Sequence, residues 1–272
     1  MGAQTRREWI VERLLADGSV TIVEVVEAFD VSRMTVHRDL DELVAEGLAR
    51  KVRGGATVLP STLYESDMRF RIAQRAEAKR ALCAAAARWL EPGAAVLLDD
   101  ATTTLPLLDH LSDVGPCTIV TNFREALGRL AEAGSTDVEI IALGGRYHPR
   151  ADSYTGPMCA AQLQAIHADL YVTSTTAVGD GAAWHPDADV AAVKRAMLDA
   201  ATTSLLLLDR SKLGRRGLHR VADLGRFDAV IVEAGTPDDS VDRLDAAGVT
   251  VHLAPALDDE GEPAEAGASA PR

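Results

Sequence analysis

Only four lysines stand against 24 arginines in this 272-residue chain. Two of them, Lys194 and Lys212, lie in a half of the sequence where hydroxyls, carboxylates and glycines follow apolar runs. The segment Asp99-Asp-Ala-Thr-Thr-Thr104 leaves one such run and leads toward an expected helix. Hydroxyls and unpaired N–H groups at a helix start form a cradle for an anion, so Thr102, Thr103 and Thr104 are candidate phosphate contacts. Lys194 and Lys212 can neutralise that anion. Gly144-Gly145 lets a ligand approach the backbone closely. Asp99, Asn122 and Asp209 can accept from, or orient, the hydroxyls of a sugar-like molecule. Each residue also has a plainer role. The threonines and Asn122 can cap helices, Lys194 can be a solvated helix lysine, and Asp209 with Lys212 can be a structural turn pair.

A second set of residues suits a different chemistry. Ser32, Arg33, Met34, Thr35, His37 and Arg38 occupy the start and one face of an expected third helix. Arg forks onto guanine, and Thr or Met can touch a thymine methyl. Arg6, Arg7, Arg50, Lys51 and Arg53 read as phosphate clamps, which position a protein on DNA without choosing sequence.

The elements that must hold this second set are legible in residues 1–58. Thr5-Arg-Arg-Glu8 reads as a capping box, and Ile10, Val11, Leu14 and Leu15 follow at helical spacing until Asp17-Gly18. Thr21-Ile-Val-Glu24 is a second box, ahead of Ile22, Val25, Val26 and Phe29 on one face. Asp30-Val31 turns the chain and Ser32 caps a third helix with an inward stripe of Val36, Leu40, Leu43 and Val44, ended by Gly47. Two short strands over 48–52 and 56–59 flank Arg53-Gly54-Gly55. Three helices and a hairpin make a winged helix-turn-helix, whose third helix enters the major groove. A three-helix protein-interaction domain with ordinary surface arginines is the plainer reading.

Residues 59–75 read as a linker rich in Pro, Ser and Thr, and an Ala-rich helix then runs to about Leu90. Residues 76–254 form a second domain. Its apolar runs at 94–98, 118–120, 138–143, 170–173, 204–208, 229–232 and 249–253 are continuous, as in strands buried on both faces of a mostly parallel sheet. The expected fold class is therefore α/β behind a winged helix-turn-helix. Polar and glycine-rich segments follow the runs, and open α/β sheets bind ligands at those carboxyl ends. Residues 255–272 are acidic and poor in apolar side chains, the composition of a disordered tail.

Bulk properties narrow the function classes. The net charge is −13 with a pI near 5.0, and residues 1–60 hold 8 basic against 10 acidic side chains. A general basic coat is excluded, so any DNA contact depends on placement of individual basic residues. No apolar run approaches a membrane span and no signal peptide is visible, so a cytoplasmic location is expected. Cys83, Cys117 and Cys159 have neither CxxC nor zinc spacing, which points to reduced core thiols. No metal site, cofactor, dinucleotide fingerprint or phosphate-binding GxxxxGK[ST] loop is expected.

Arg6…Ile10…Leu14, Val31-Ser-Arg-Met-Thr-Val-His-Arg-Asp-Leu40 and Glu46-Gly-Leu-Ala-Arg50…Arg53-Gly-Gly-Ala56 resemble the DNA-binding domain of DeoR-family regulators. The second half resembles that family's sensor domain through Asp99…Thr102-Thr103, Val120-Thr-Asn122, Leu143-Gly-Gly145, Gly156, Gly179-Asp-Gly181, Val193-Lys-Arg-Ala-Met197 and Leu208-Asp-Arg-Ser-Lys-Leu213. The resemblance covers roughly residues 5–254. It implies a sensor fold related to ribose-5-phosphate isomerase, without enzyme activity. It also implies a repressor of carbohydrate metabolism genes that binds double-stranded operator DNA and answers to a phosphorylated sugar. Helix-turn-helix readers pair half-sites by symmetry, so a homodimer or homotetramer is expected. Four departures stand out, one of them Asp189 near where a Glu is common. His37 replaces an Arg usual in the family, and residues 173–176 replace a run usually richer in glycine. Asp100-Ala101 replaces Ser-Gly, which removes a hydroxyl and adds negative charge beside the phosphate site. Two alternatives stay open: a DNA-binding regulator with a vestigial or atypical ligand site, and a sugar-phosphate isomerase-like enzyme with Asp99 or Asp209 as base.

Overall fold

The computed structural model describes residues 2–45, 48–58 and 68–255. Gly47, residues 59–67 of the linker and residues 256–272 of the tail lie outside the described residues.

The first helix, α1 (Ala3–Asp17), begins after Gly2 without a side-chain cap. The expected Thr5–Glu8 capping box does not form, because the helix is already under way at Thr5. Gly18 ends it at φ 75° with its N–H on the Leu14 carbonyl, the left-handed stop that glycine adopts at least cost. Strand β1 (Ser19–Thr21) leads to α2 (Ile22–Phe29). Here the capping box is real. Thr21 Oγ1 accepts from the Glu24 amide at 3.2 Å, and the Glu24 carboxylate accepts from the Thr21 amide at 2.6 Å. Asp30 turns the chain at φ 48°, and Ser32 Oγ accepts from the Thr35 amide at 3.1 Å at the start of α3 (Arg33–Ala45). Val36, Leu40 and Leu43 of α3 join Ile10, Val11, Leu14, Val20 and Val25 in one core. Val44 is exposed, and Asp39 takes the inward position instead.

Strands β2 (Ala49–Val52) and β3 (Gly55–Val58) form the wing around a two-residue turn, Arg53-Gly54. Strand β1 adds to β3, giving a three-stranded sheet that periodicity did not reveal. A Cβ on Gly55 would lie 2.1 Å from the Val20 carbonyl oxygen, so only glycine lets β3 pass β1 at that point.

Helices α4 (Met68–Ala73) and α5 (Ala76–Ala87) open the second body. The seven expected strands all appear: β4 (Ala95–Leu98), β5 (Cys117–Thr121) and β6 (Val138–Ala142), then β9 (Ala168–Thr173), β12 (Ala201–Leu208), β14 (Ala229–Val232) and β15 (Thr250–Leu253). The hairpin β7 (Arg146–His148) and β8 (Ser153–Thr155) lies between β6 and β9 in the chain. A second small antiparallel sheet is built from β10 (Ala177–Gly179), β11 (Ala182–His185) and β13 (His219–Asp223).

The large sheet has the order β15-β14-β12-β9-β4-β5-β6, and every neighbouring pair is parallel. Successive strand residues face opposite layers, as the pleat requires. Leu97, Val120, Tyr171, Leu206 and Val230 enter one core, and Val96, Leu98, Ile119, Leu170, Leu205 and Ile231 the other. Strand β6 departs from the expectation of burial on both faces, because it is an edge strand and most of it is exposed. The order of strand addition reverses at β4. The strands that follow add on one side through β5 and β6, then on the other from β9 onward. Ligands of open α/β sheets bind at the carboxyl ends flanking such a switch point.

Candidate functional site

On the N-terminal body, Ser32, Arg33, Met34, His37 and Arg38 are exposed along the start of α3, and Thr35 is half-buried. Thr35 Oγ1 and Ser32 Oγ share a hydrogen bond at 2.9 Å. Both hydroxyls thus fix the helix start as well as standing near its outer face. Arg50, Lys51 and Arg53 are exposed on the wing. Lys51 pairs with Asp41 at 2.5 Å and Arg7 pairs with Glu42. Arg33, Arg38, Arg50 and Arg53 have no acidic partner among the described residues. Their charges are not offset by a carboxylate among the described residues.

Arg6 does not belong to that surface. It is 6% exposed, and its guanidinium forks onto Asp39, with Nε at 2.5 Å from Oδ2 and Nη2 at 3.0 Å from Oδ1. The hydrogen bond to Asp39 raises its already high pKa. Its charge is used inside the domain to tie α1 to α3, so reading it as a phosphate clamp is corrected.

In the second body, Asp99, Asp100, Thr102, Thr103, Asn122, Ser174, Lys194, Asp209 and Lys212 come from the carboxyl ends of β4, β5, β9 and β12 and from α9 (Ala188–Asp199). All are buried or nearly so. Lys194 is no solvated helix lysine. Its Nζ donates to Asp99 Oδ2 at 2.7 Å and to the Ser174 carbonyl at 3.1 Å, and lies 3.3 Å from Asp100 Oδ1. Lys212 Nζ donates to Thr103 Oγ1 at 2.9 Å and Ser174 Oγ at 2.6 Å, and sits 3.6 Å from Asp209. Asp209 accepts from the Ser211 amide at 3.0 Å and also faces Arg75 at 3.4 Å. Arg75 in turn forks onto the buried Glu233 at 2.6 Å on both oxygens.

Other expected site residues have different surroundings. The threonine run makes turns into a short 3-10 stretch, Leu105–His110, not the start of a regular helix. Thr104 Oγ1 is spent on the Ala101 carbonyl at 2.9 Å. Asn122 does not cap the next helix, α7 (Arg124–Ala133). Its amide instead donates to the Tyr154 carbonyl at 2.8 Å. The backbone of Gly144 is occupied at both polar groups by Gln162. A Cβ on Gly145 would stand 2.7 Å from the Thr155 carbonyl oxygen and 3.0 Å from Cys159. The structure therefore gives this glycine pair a packing role under the β7–β8 hairpin.

The profile of the DeoR-like helix-turn-helix domain matches residues 6–62, and that of the DeoR C terminal sensor domain matches residues 74–234. The chain belongs to the DeoR family. It is 32% identical to an aga operon transcriptional repressor of Escherichia coli O157:H7, over 93% of this chain and 94% of that one. It is 30% identical to the HTH-type transcriptional regulator GlpR of Haloferax volcanii, over 90% and 96%. With the L-fucose operon activator of Haemophilus influenzae it shares 29% identity, over 86% and 93%. Among solved structures it is similar to a ribose 5-phosphate isomerase A from Methanocaldococcus jannaschii, at a TM-score of 0.38 and 11% identity, covering 52% of this chain and 55% of that one.

In this DeoR-family regulator a third lysine completes the cluster. Lys79, on α5, is 5% exposed. Its Nζ donates to Thr102 Oγ1 at 3.2 Å and to the Arg71 carbonyl of α4. Burial, then the charges of Lys212 and Arg71, bring its pKa down to about 7, against the pull of Asp209. Burial also lowers that of Lys212, with Asp209 opposing. Burial alone would raise the Asp209 carboxyl, but Lys212, Ser211 and Arg75 bring it below the usual range. Three of the four lysines in this DeoR-family chain thus converge at one switch point. Sequence reasoning singled out two. The scarcity that drew attention to Lys194 and Lys212 applies equally to Lys79, but Lys79 lies on an Ala-rich helix and follows none of the apolar runs that marked the ligand-facing ends.

Proposed function

We propose that this DNA-binding transcriptional regulator acts on carbohydrate metabolism genes, as a repressor released by a phosphorylated sugar. In this reading α3 enters the major groove of operator DNA with Arg33, Met34, His37 and Arg38 at the base edges. Arg7, Arg50, Lys51 and Arg53 hold phosphates, and two or four copies pair half-sites. The observation that carries the effector is the burial of Lys79 and Lys212 against Thr102, Thr103 and Ser174 at the switch point. Asp209 offers one negative charge to the two lysines; a second buried cation is costly unless a further anion offsets it, and a sugar phosphate supplies one. The sugar-operon relatives support the same class of regulated gene.

The test is an anisotropy titration with DNA from upstream of the protein's own gene and its neighbours, repeated with a panel of sugar phosphates. Sequence-specific binding that one compound relieves is the expected result. Specific binding indifferent to every sugar phosphate would favour a second reading, a site that keeps its ion pairs only as structure. The many internal bonds of Asp99 speak for that reading. Its Oδ2 already accepts from Tyr171, Thr173 and Lys194, and its Oδ1 from the Ala101 amide. The three donors crowded on Oδ2 argue against that oxygen as the base of an isomerase, which needs a free lone pair within reach of the carbon acid.

A further inference from the structure

The buried cluster is not uniform in charge. Around Lys79 and Lys212, cations meet hydroxyls and one aspartate, Asp209. Around Lys194, two carboxylates share one ammonium. Asp99 is 0% exposed and Asp100 is 2% exposed, and Lys194 Nζ lies within 3.3 Å of both. Asp99 accepts from four donors, three of them on Oδ2. Asp100 differs. Besides Lys194 it accepts only from Ser153 Oγ, at 2.8 Å, and no second cation reaches it among the described residues.

After the neighbouring strand, where Thr121 pairs with Leu98, comes an acceptor with no donor. Asn122 is 1% exposed, and its Oδ1 has no hydrogen-bond partner. Phe123 bridges to Ser153, and the Tyr154 amide donates to the Asn122 carbonyl at 2.9 Å. These bonds hold Asn122 against the same serine that reaches Asp100. Buried side-chain acceptors are seldom left unpaired, and each exception asks for an explanation. This end of the cluster is one positive charge short of its two carboxylates and leaves one buried acceptor without a donor.

We propose that the ligand is zwitterionic: an amino-sugar phosphate, its phosphate toward Lys79 and Lys212 and its ammonium toward Asp100 and Asn122 Oδ1. The proposal rests on the reading of this cluster as a phosphorylated-sugar site and specifies the sugar's chemical class. An ammonium brings three donors and a unit charge, which answers both shortages. A hydroxyl at the same ring position brings one donor and no charge, and leaves Asp100 and Lys194 as they are. The Asp100-Ala101 departure from the family's usual Ser-Gly is then a specificity change.

The experiment is isothermal titration of the full-length protein with matched pairs: glucosamine 6-phosphate against glucose 6-phosphate, and galactosamine 6-phosphate against galactose 6-phosphate, with inorganic phosphate alongside. The amino member of at least one pair is expected to bind about tenfold tighter or more, the worth of one charge-assisted hydrogen bond. Asp100→Asn is expected to abolish that difference while the neutral sugar phosphate still binds. Neutral members binding as tightly as, or tighter than, their amino counterparts in the wild-type protein would overturn the proposal, and this comparison needs no variant to fold. A preference that survives unchanged in a folded Asp100→Asn protein would overturn it as well. If neither any sugar phosphate nor phosphate binds, the phosphorylated-effector reading fails and takes this one with it.

Discussion

Arg6 and Arg38 carry the same side chain in opposite surroundings, and their substitutions should fail differently. Arg38 is exposed on α3 with no acidic partner among the described residues. Arg38→Ala should weaken operator binding by roughly 1–3 kcal/mol, the worth of a good base-edge contact, and leave the melting temperature unchanged. Anisotropy and a thermal melt on the same sample check both halves; unaltered DNA affinity would remove Arg38 from the interface. Arg6→Ala strands the buried Asp39 carboxylate. Removing one partner of a buried ion pair costs about 3–5 kcal/mol, so a denaturant melt should show the loss. The Arg6→Met/Asp39→Leu pair should regain much of it, because no unpaired charge remains. Sequence could place a basic residue near the start of α1. It could not show a carboxylate 33 positions away turned inward to meet it. Asp39, one position before the apolar Leu40, was not part of the expected inward stripe, while Val44, read as core, lies outside.

At the level of elements, legibility followed burial on both sides. All seven strands of the parallel sheet announced themselves as continuous apolar runs; in the five inner strands most residues touch one core or the other, whereas the edge strands β6 and β15 carry apolar runs that are largely exposed or half-buried. Strands β1, β7, β8, β10, β11 and β13 are three to five residues long, too short for alternation to register. One of these hairpins did carry a signal: Asp180-Gly181 joins β10 to β11 with φ of 53° and 70°, the Asp-Gly pair that favours a tight hairpin turn. The wing was legible from Arg53-Gly54-Gly55, yet the reason for Gly55 lies in β1, the strand that was missed. Gly55→Ala would drive a Cβ into the Val20 carbonyl. Forced overpacking of this kind costs about 1–3 kcal/mol, and the backbone oxygen has little room to retreat. The expected outcome is a wing that no longer closes on β1, seen as faster amide exchange across residues 49–58 and weaker DNA binding. Normal exchange protection there would show that β3 can shift to make room.

For the molecule as a whole, Lys79 links the buried cluster to the segment that follows the DNA-binding body. Its ammonium reaches both Thr102 and the Arg71 carbonyl of α4. That helix is anchored by the Met68 amide, which donates to the Arg150 carbonyl at 2.8 Å, and by the Met68 side chain, buried with Leu105, Phe123 and Ala126. A lysine brought down from 10.5 to about 7 makes this junction sensitive to pH. Between those values the unfolded chain holds a proton that the folded one has released, so folding stability should rise with pH across that window and fall toward pH 7. Ligand binding should run the other way. A phosphate placed against Lys79 favours the charged form and raises its pKa in the complex. Above pH 7 binding therefore takes up a proton, and the dissociation constant should grow with pH, at most about tenfold per unit for one proton. The phosphate is itself almost fully ionised there, since its second pKa is about 6, so the trend belongs to the protein. Lys79→Met should flatten it and weaken effector binding near pH 7, with operator binding retained in the absence of ligand. Titrations of a sugar phosphate from pH 7 to 9, in two buffers of different ionisation enthalpy, read the proton uptake directly. Equal uptake by wild-type and Lys79→Met protein would move the proton to Lys212, whose pKa burial lowers in the same sense.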